Sequence, residues 1–337
     1  MIEQQTYTAI PSKAVVANSN SSMSLSVLID KETEQLAISL AKALKDKEIR
    51  KIIKDEAMLQ FDGDYDVLYT TLQDKKINKG INIDDLLFEN YQNQTKGTRS
   101  SFEKTKENIK DLQFSVPVNC EKWNIEEQMP LVTYIPKNFN EKTTKYVRAF
   151  DSEGKVYLLS TQEEPEVPVV VIGSCERMEK EINLKTEEKQ NKATFYINCS
   201  KLQFPELSNI ETWIQGGPEI RIGMKTNDGQ VDLLKVYYFD RKDVKDNKWF
   251  YYTASFYRWD FTDLESTGFG VTEIDDGSPY EFSFGFTFTP YTGISFPFTI
   301  KYTGKANDDY LGSDQLYTDY LWKQIDCGSQ FKMYIKY

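Results

Sequence analysis

The sequence predicts an α+β protein with a small helical segment near the N-terminus, a β-rich middle and a C-terminal antiparallel β-sandwich. Three observations predict it. Between Asp30 and Leu112 apolar residues recur at three- and four-residue steps, the period of helices with one buried face. From Phe114 the chain changes to short extended runs. From Ala193 strand follows strand, punctuated by turns such as Gly216-Gly217-Pro218 and Asn227-Asp228-Gly229, the pattern of a sandwich. The chain therefore divides into a flexible leader (1–29), a helical region (30–112), a β-rich middle (113–178), a charged linker (179–192) and the sandwich (193–337).

In the helical region, Leu36, Leu40 and Leu44, then Ile49, Ile52, Ile53, Ala57 and Phe61, predict helices over 31–45 and 47–60, with Asp46 as the N-cap of the second. Asp62-Gly63-Asp64-Tyr65-Asp66 alternates carboxylates. It reads as a turn with an Asp cap or as an incidental cation site, but it is no EF-hand: Val67 stands where that loop needs Gly and Gln73 where it needs Glu. Further helix is predicted over 83–91, behind the acidic first turn Asp84-Asp85, and over 101–112, with 92–99 as a loop.

The middle reads as strands over 114–118, 131–135, 146–150, 156–159 and 167–172. Val169-Val170-Val171-Ile172, apolar on both faces, is a buried strand. Gly173-Ser174-Cys175-Glu176-Arg177 after it reads as a turn with a buried thiol, since it supplies no nucleophile elbow. In the sandwich the predicted strands are 195–199, 211–214, 219–224, 233–239, 249–258, 280–288, 294–302 and 330–337.

The most pronounced pattern is a hairpin. Phe282, Phe284, Phe286 and Phe288 alternate with small polar residues, and after the turn Pro290-Tyr291-Thr292-Gly293 the alternation resumes through Phe296 and Phe298. Pro297 cannot donate to a ladder, so its limb is an edge strand or carries a bulge. These phenylalanines are either the core of the sandwich or, since limbs of this length approach the roughly 9–11 residues of a spanning strand, a membrane-seeking hairpin.

Composition narrows the function. The 337 residues carry a net charge of −11, which argues against a nucleic-acid partner. There is no histidine, which removes the commonest general base and metal ligand and with them every His-dependent hydrolase scheme. Four separated cysteines, Cys120, Cys175, Cys199 and Cys327, form no C-x-x-C pair; disulfides and free buried thiols both stand. No apolar run is long enough for a transmembrane helix. The Ser/Asn-rich opening lacks a signal peptide and reads as the leader behind a removed export signal, or as a disordered cytoplasmic N-terminus.

Two acidic loops flank the hairpin, Asp275-Asp276 before it and Asp308-Asp309 with Asp314 after it. If the hairpin limbs pair, the loops meet, and calcium, which takes six to eight oxygens, is the cofactor they would hold. Here the sequence resembles the calcium-dependent phospholipid-binding β-sandwich family, in which a D-P-Y loop and a D-D-x-L-G loop supply carboxylates. Asp308-Asp309-Tyr310-Leu311-Gly312 matches the second, and Ser278-Pro279-Tyr280 departs from the first by lacking its Asp. A broader resemblance, carried by Phe61–Asp66 and Pro168–Gly173, is to exported proteins of Bacteroidetes type and implies export or a cell-surface location. Together these predict a non-enzymatic exported binding protein with a calcium-dependent sandwich and a protein, glycan or membrane partner. The alternatives are a pore-forming toxin using the hairpin over 281–302, and a hydrolase working with carboxylates alone, for which no residue pair stands out.

Overall fold

The structure, a computed structural model, describes residues 31–77, 80–175, 194–225, 231–260, 266–275, 279–288, 296–305, 308–317, 322–327 and 330–336. The expected leader 1–29, the linker 179–192, the Glu176-Arg177 pair, Asp276 and the hairpin turn lie outside them, as do the side chains of Phe282, Phe284, Phe286, Phe288, Phe296 and Phe298. The chain forms two compact units, Met1–Met178 with Thr212–Gly216, and Glu179–Glu211 with Gly217–Tyr337.

The first unit begins with α1 (Lys31–Ala43) and α2 (Lys47–Ala57). Leu36, Leu40, Ile49 and Ile53 are fully buried along their inner faces, and the Asp46 carboxylate accepts the Glu48 N–H at 2.9 Å to cap α2. After β1 (Asp66–Leu68) and α3 (Tyr69–Leu72), α4 runs from Ile83 to Thr95, past the end expected near Tyr91. Its polar last turn is held by α1: Lys42 donates to Gln94 at 3.2 Å and Gln94 donates to Gln35. The helix stops at Lys96, which takes a left-handed φ of 59°. α5 (Arg99–Glu107) completes the helices.

These helices share a core with a six-stranded sheet of order β1-β2-β6-β3-β4-β5, in which β2 is Leu112–Ser115, β3 Leu131–Tyr134, β4 Tyr146–Phe150, β5 Val156–Ser160 and β6 Val169–Ser174. Regions 30–112 and 113–178, distinct in sequence period, thus build one layer of helices on one sheet. Among the described strands only β3 and β6 pair in parallel. β6 is buried on both faces: Val170 and Ile172 join the helical core, and Val169 and Val171 join a second core that holds Trp213 and Ile214. The segment 211–214, expected as a strand, is a turn closed by Gln215 N–H to Thr212 O at 3.1 Å. Its apolar residues fill that second core, where Trp213 Nε1 donates to Ser160 O at 2.8 Å, instead of pairing in a sheet.

In the second unit, β7 (Thr194–Gln203), β10 (Phe250–Asp260), β15 (Trp322–Cys327) and β16 (Phe331–Lys336) form a sheet of order β10-β7-β16-β15. A second sheet has order β14-β11-β8-β9, with β8 Glu219–Lys225, β9 Val231–Tyr238, β11 Ser266–Glu273 and β14 Asp309–Tyr317. Leu202, Ile325 and Met333 from the first and Ile220, Ile222, Phe269 and Val271 from the second fill one core, so the unit is an antiparallel sandwich. The hairpin forms as β12 (Pro279–Phe288) and β13 (Phe296–Lys305), in register from Pro279 opposite Lys305 to Phe288 opposite Phe296. Thr287 pairs with Pro297 without a shift, so among the described residues Pro297 sits in an unbulged edge strand of a separate two-stranded sheet.

Candidate metal centre

Antiparallel pairing decides which strand ends meet. β8 and β14 begin, and β11 ends, at the same edge of their sheet. There Glu273 stands opposite Ile220 on one side and Asp309 on the other, and Ile274 N–H donates to Glu219 O at 3.0 Å. Asp275 and Asp308 lie one step beyond, joined by the Asp275 N–H, which donates to Asp308 Oδ1 at 3.0 Å. Glu211 reaches the same place from the turn after a 3-10 segment (Leu207–Asn209); its own N–H donates to Leu207 O at 2.8 Å, and its carbonyl accepts the buried Arg241 at 2.8 Å.

Glu211, Glu273 and Asp275 each offer a carboxylate oxygen, and the three oxygens lie within 4.8 Å of one another. The residues are 1 %, 0 % and 3 % exposed. Among the described residues no hydrogen-bond donor meets either carboxylate oxygen of Glu273. Three buried carboxylates at this spacing cannot all be ionised without a positive partner. Burial first, then the charges of Asp275 and Glu211, push Glu273 well above the usual carboxylate range. Burial, followed by the charges of Asp309 and Glu219, pushes Asp275 up to about 8. Two occupants relieve the cluster chemically: protons shared between carboxylates, or a cation.

Of the residues expected from sequence, Asp275 lies in this cluster, and Asp308 and Asp309 lie at the same strand ends. Asp308 is committed elsewhere: its Oδ2 accepts Arg221 Nη1 at 3.2 Å while Oδ1 holds the Asp275 backbone, so it positions Asp275. Asp314 is not brought in. It sits along β14 opposite Phe269 and accepts Lys323 Nζ at 2.8 Å. Asp276 is outside the described residues. Glu211 and Glu273 escaped the sequence reading. A signal existed for the latter, because the alternation Phe269, Val271, Glu273 places a carboxylate on the face of β11 that points into the core.

A second group, Asp62, Asp66 and Cys175, also brings its donor atoms within 4.8 Å. It mixes hard carboxylates with a soft thiol that donates to Asp62 Oδ2 at 3.8 Å, and Asp62 Oδ1 also accepts Asp64 N–H at 3.2 Å, which is the local geometry of a turn. All four cysteines are buried thiols outside any disulfide.

Residues 33–280 match a family described as a protein of unknown function (DUF3103), and the chain belongs to that family. The match takes in Glu211, Glu273 and Asp275 and ends within β12, before Asp308 and Asp309. No curated protein and no solved structure matches the chain.

Proposed function

We propose that this chain is a non-enzymatic binding protein whose C-terminal unit takes up a hard divalent cation, calcium, between Glu211, Glu273 and Asp275. Glu273 carries the reading. Among the described residues this fully buried carboxyl group meets only the other carboxyl groups of the cluster, Glu211 and Asp275, and a dication can take the place of the protons they share. The donors are all oxygen, with neither histidine nor thiol among them, which suits calcium, magnesium or manganese and not zinc or copper. Calcium accepts irregular sets of six to eight oxygens, as ligands drawn from distant parts of a chain provide, whereas magnesium demands a tight octahedron. Export, and a protein, glycan or membrane partner, enter this reading from the sequence resemblances alone.

Titration calorimetry of the full chain with calcium chloride at pH 8, paired with thermal melts, tests it. Heat and a raised melting temperature are expected for the wild type and neither for Glu273→Gln. Silence with both calcium and magnesium removes the reading.

The hairpin supports a second reading. Both limbs are 10 residues long and, among the described residues, pair only with each other, as the limbs of a membrane-inserting arm would. Dye release from liposomes measures that activity directly, and intact vesicles at micromolar protein would discard it.

A further inference from the structure

The carboxylate cluster lies at the root of the β12–β13 arm, and we infer that the ion it holds controls how firmly that arm is closed at its base; this rests on the cation site proposed above. β11 and β14 are hydrogen-bonded neighbours that end and begin as partners, Glu273 opposite Asp309. The chain between them leaves the sheet and returns at one point, and β12 and β13 occupy that excursion. The departing and returning strands are tied at the root by the hydrogen bond from Asp275 N–H to Asp308 Oδ1 and by the first rung of the arm, Pro279 opposite Lys305.

The charges are distributed so that an ion would act on this tie. Asp275 is on the departing strand and Asp308 and Asp309 on the returning one, with Glu273 and Glu211 beneath them. Among the described residues, Arg221 donates to Asp308 and Arg241 to the Glu211 carbonyl. A dication bound jointly by Asp275, Glu273 and Glu211 draws the departing strand onto the end of β11. A ligand shifts an equilibrium toward the state it binds better, here the closed root. The arm would be presented rigidly when the ion is bound and loosely when it is removed.

Hydrogen exchange of the full chain at pH 8, in calcium chloride and in EDTA, reads this out on the amides of β12 and β13, with β7 and β16 as internal reference. If opening the root requires release of the ion, calcium at about 100 times its Kd slows exchange in the arm by up to about 100-fold. The reference strands should change much less, and Glu273→Gln should show no calcium effect; should that variant lose its circular dichroism, Asp275→Asn replaces it. Calorimetry on the same samples separates the two claims. Heat of binding with unchanged exchange in the arm, or with equal slowing in arm and reference strands, overturns the control of the arm and leaves the cation site standing. Absence of heat overturns both.

Discussion

Glu273 ends an otherwise apolar face of β11, and its neighbours decide its ionisation. Because burial and two nearby carboxylates hold it protonated, the amide of Glu273→Gln resembles the form already present without metal. The variant should therefore melt no lower than the metal-free wild type at pH 8 while losing the calcium response; a drop of several kcal/mol in urea unfolding would show that the ionised side chain itself holds the fold. Asp275 gives a pH signature. Folded, it keeps its proton up to about 8, against 3.8 for the ordinary group. Between those values the folded state binds the extra proton, so the contribution is full below the lower value and is lost as pH rises through the upper one. In EDTA the wild type should lose stability relative to Asp275→Asn as pH climbs across this window. Calcium affinity should rise over the same range by roughly tenfold per pH unit for each proton displaced.

At the scale of elements, legibility followed local pattern. α1, α2 and the Asp46 cap are readable because Asp46 and the Leu36-Leu40 spacing act over a single turn. β6 was readable because four consecutive branched residues leave no polar face. β11 is not, since Gly268 and Gly270 interrupt its alternation, and β14 reads as a loop by sequence because Asp, Gly and Ser are turn formers. In β14 the glycine has a packing role: a Cβ on Gly312 would lie 2.8 Å from the Cys327 Cβ. Within β6, Ile172→Ala should cost about 2–5 kcal/mol in denaturant unfolding, the range for a fully buried branched side chain. Asp308→Ala removes the tie between the departing and returning strands but none of the three clustered carboxylates. It should speed exchange in β12 and β13 while calcium still binds, although more weakly.

For the whole molecule, composition excluded histidine chemistry at once, but the cluster itself was only half visible. Pairing of β12 with β13 could be read from alternation and led to Asp275, Asp308 and Asp309. Glu211 could not be found that way, since it arrives from a turn more than fifty residues earlier in the chain, and no local period announces such an encounter. The cysteines show the same limit. Nothing in their spacing decides between bridges and thiols, and the structure holds all four as buried thiols outside any disulfide, with burial pushing Cys199 and Cys327 up to about 12. A thiol reagent at pH 8 should find the native protein unreactive and detect four equivalents after unfolding.

The stretch Thr212–Gly216 has a practical bearing on how this chain can be divided. It lies inside the sequence of the second unit yet supplies Trp213 to a core of the first, against Val169 and Val171. A fragment cut after residue 178 would carry its sheet with that core unfilled, so it should bind hydrophobic dyes and aggregate even though every strand of the sheet is present. Borrowing a residue from downstream makes completion of the first unit wait on synthesis beyond Gly216, and a ribosome-bound chain shorter than that should be protease-sensitive on the face of the sheet that Trp213 covers.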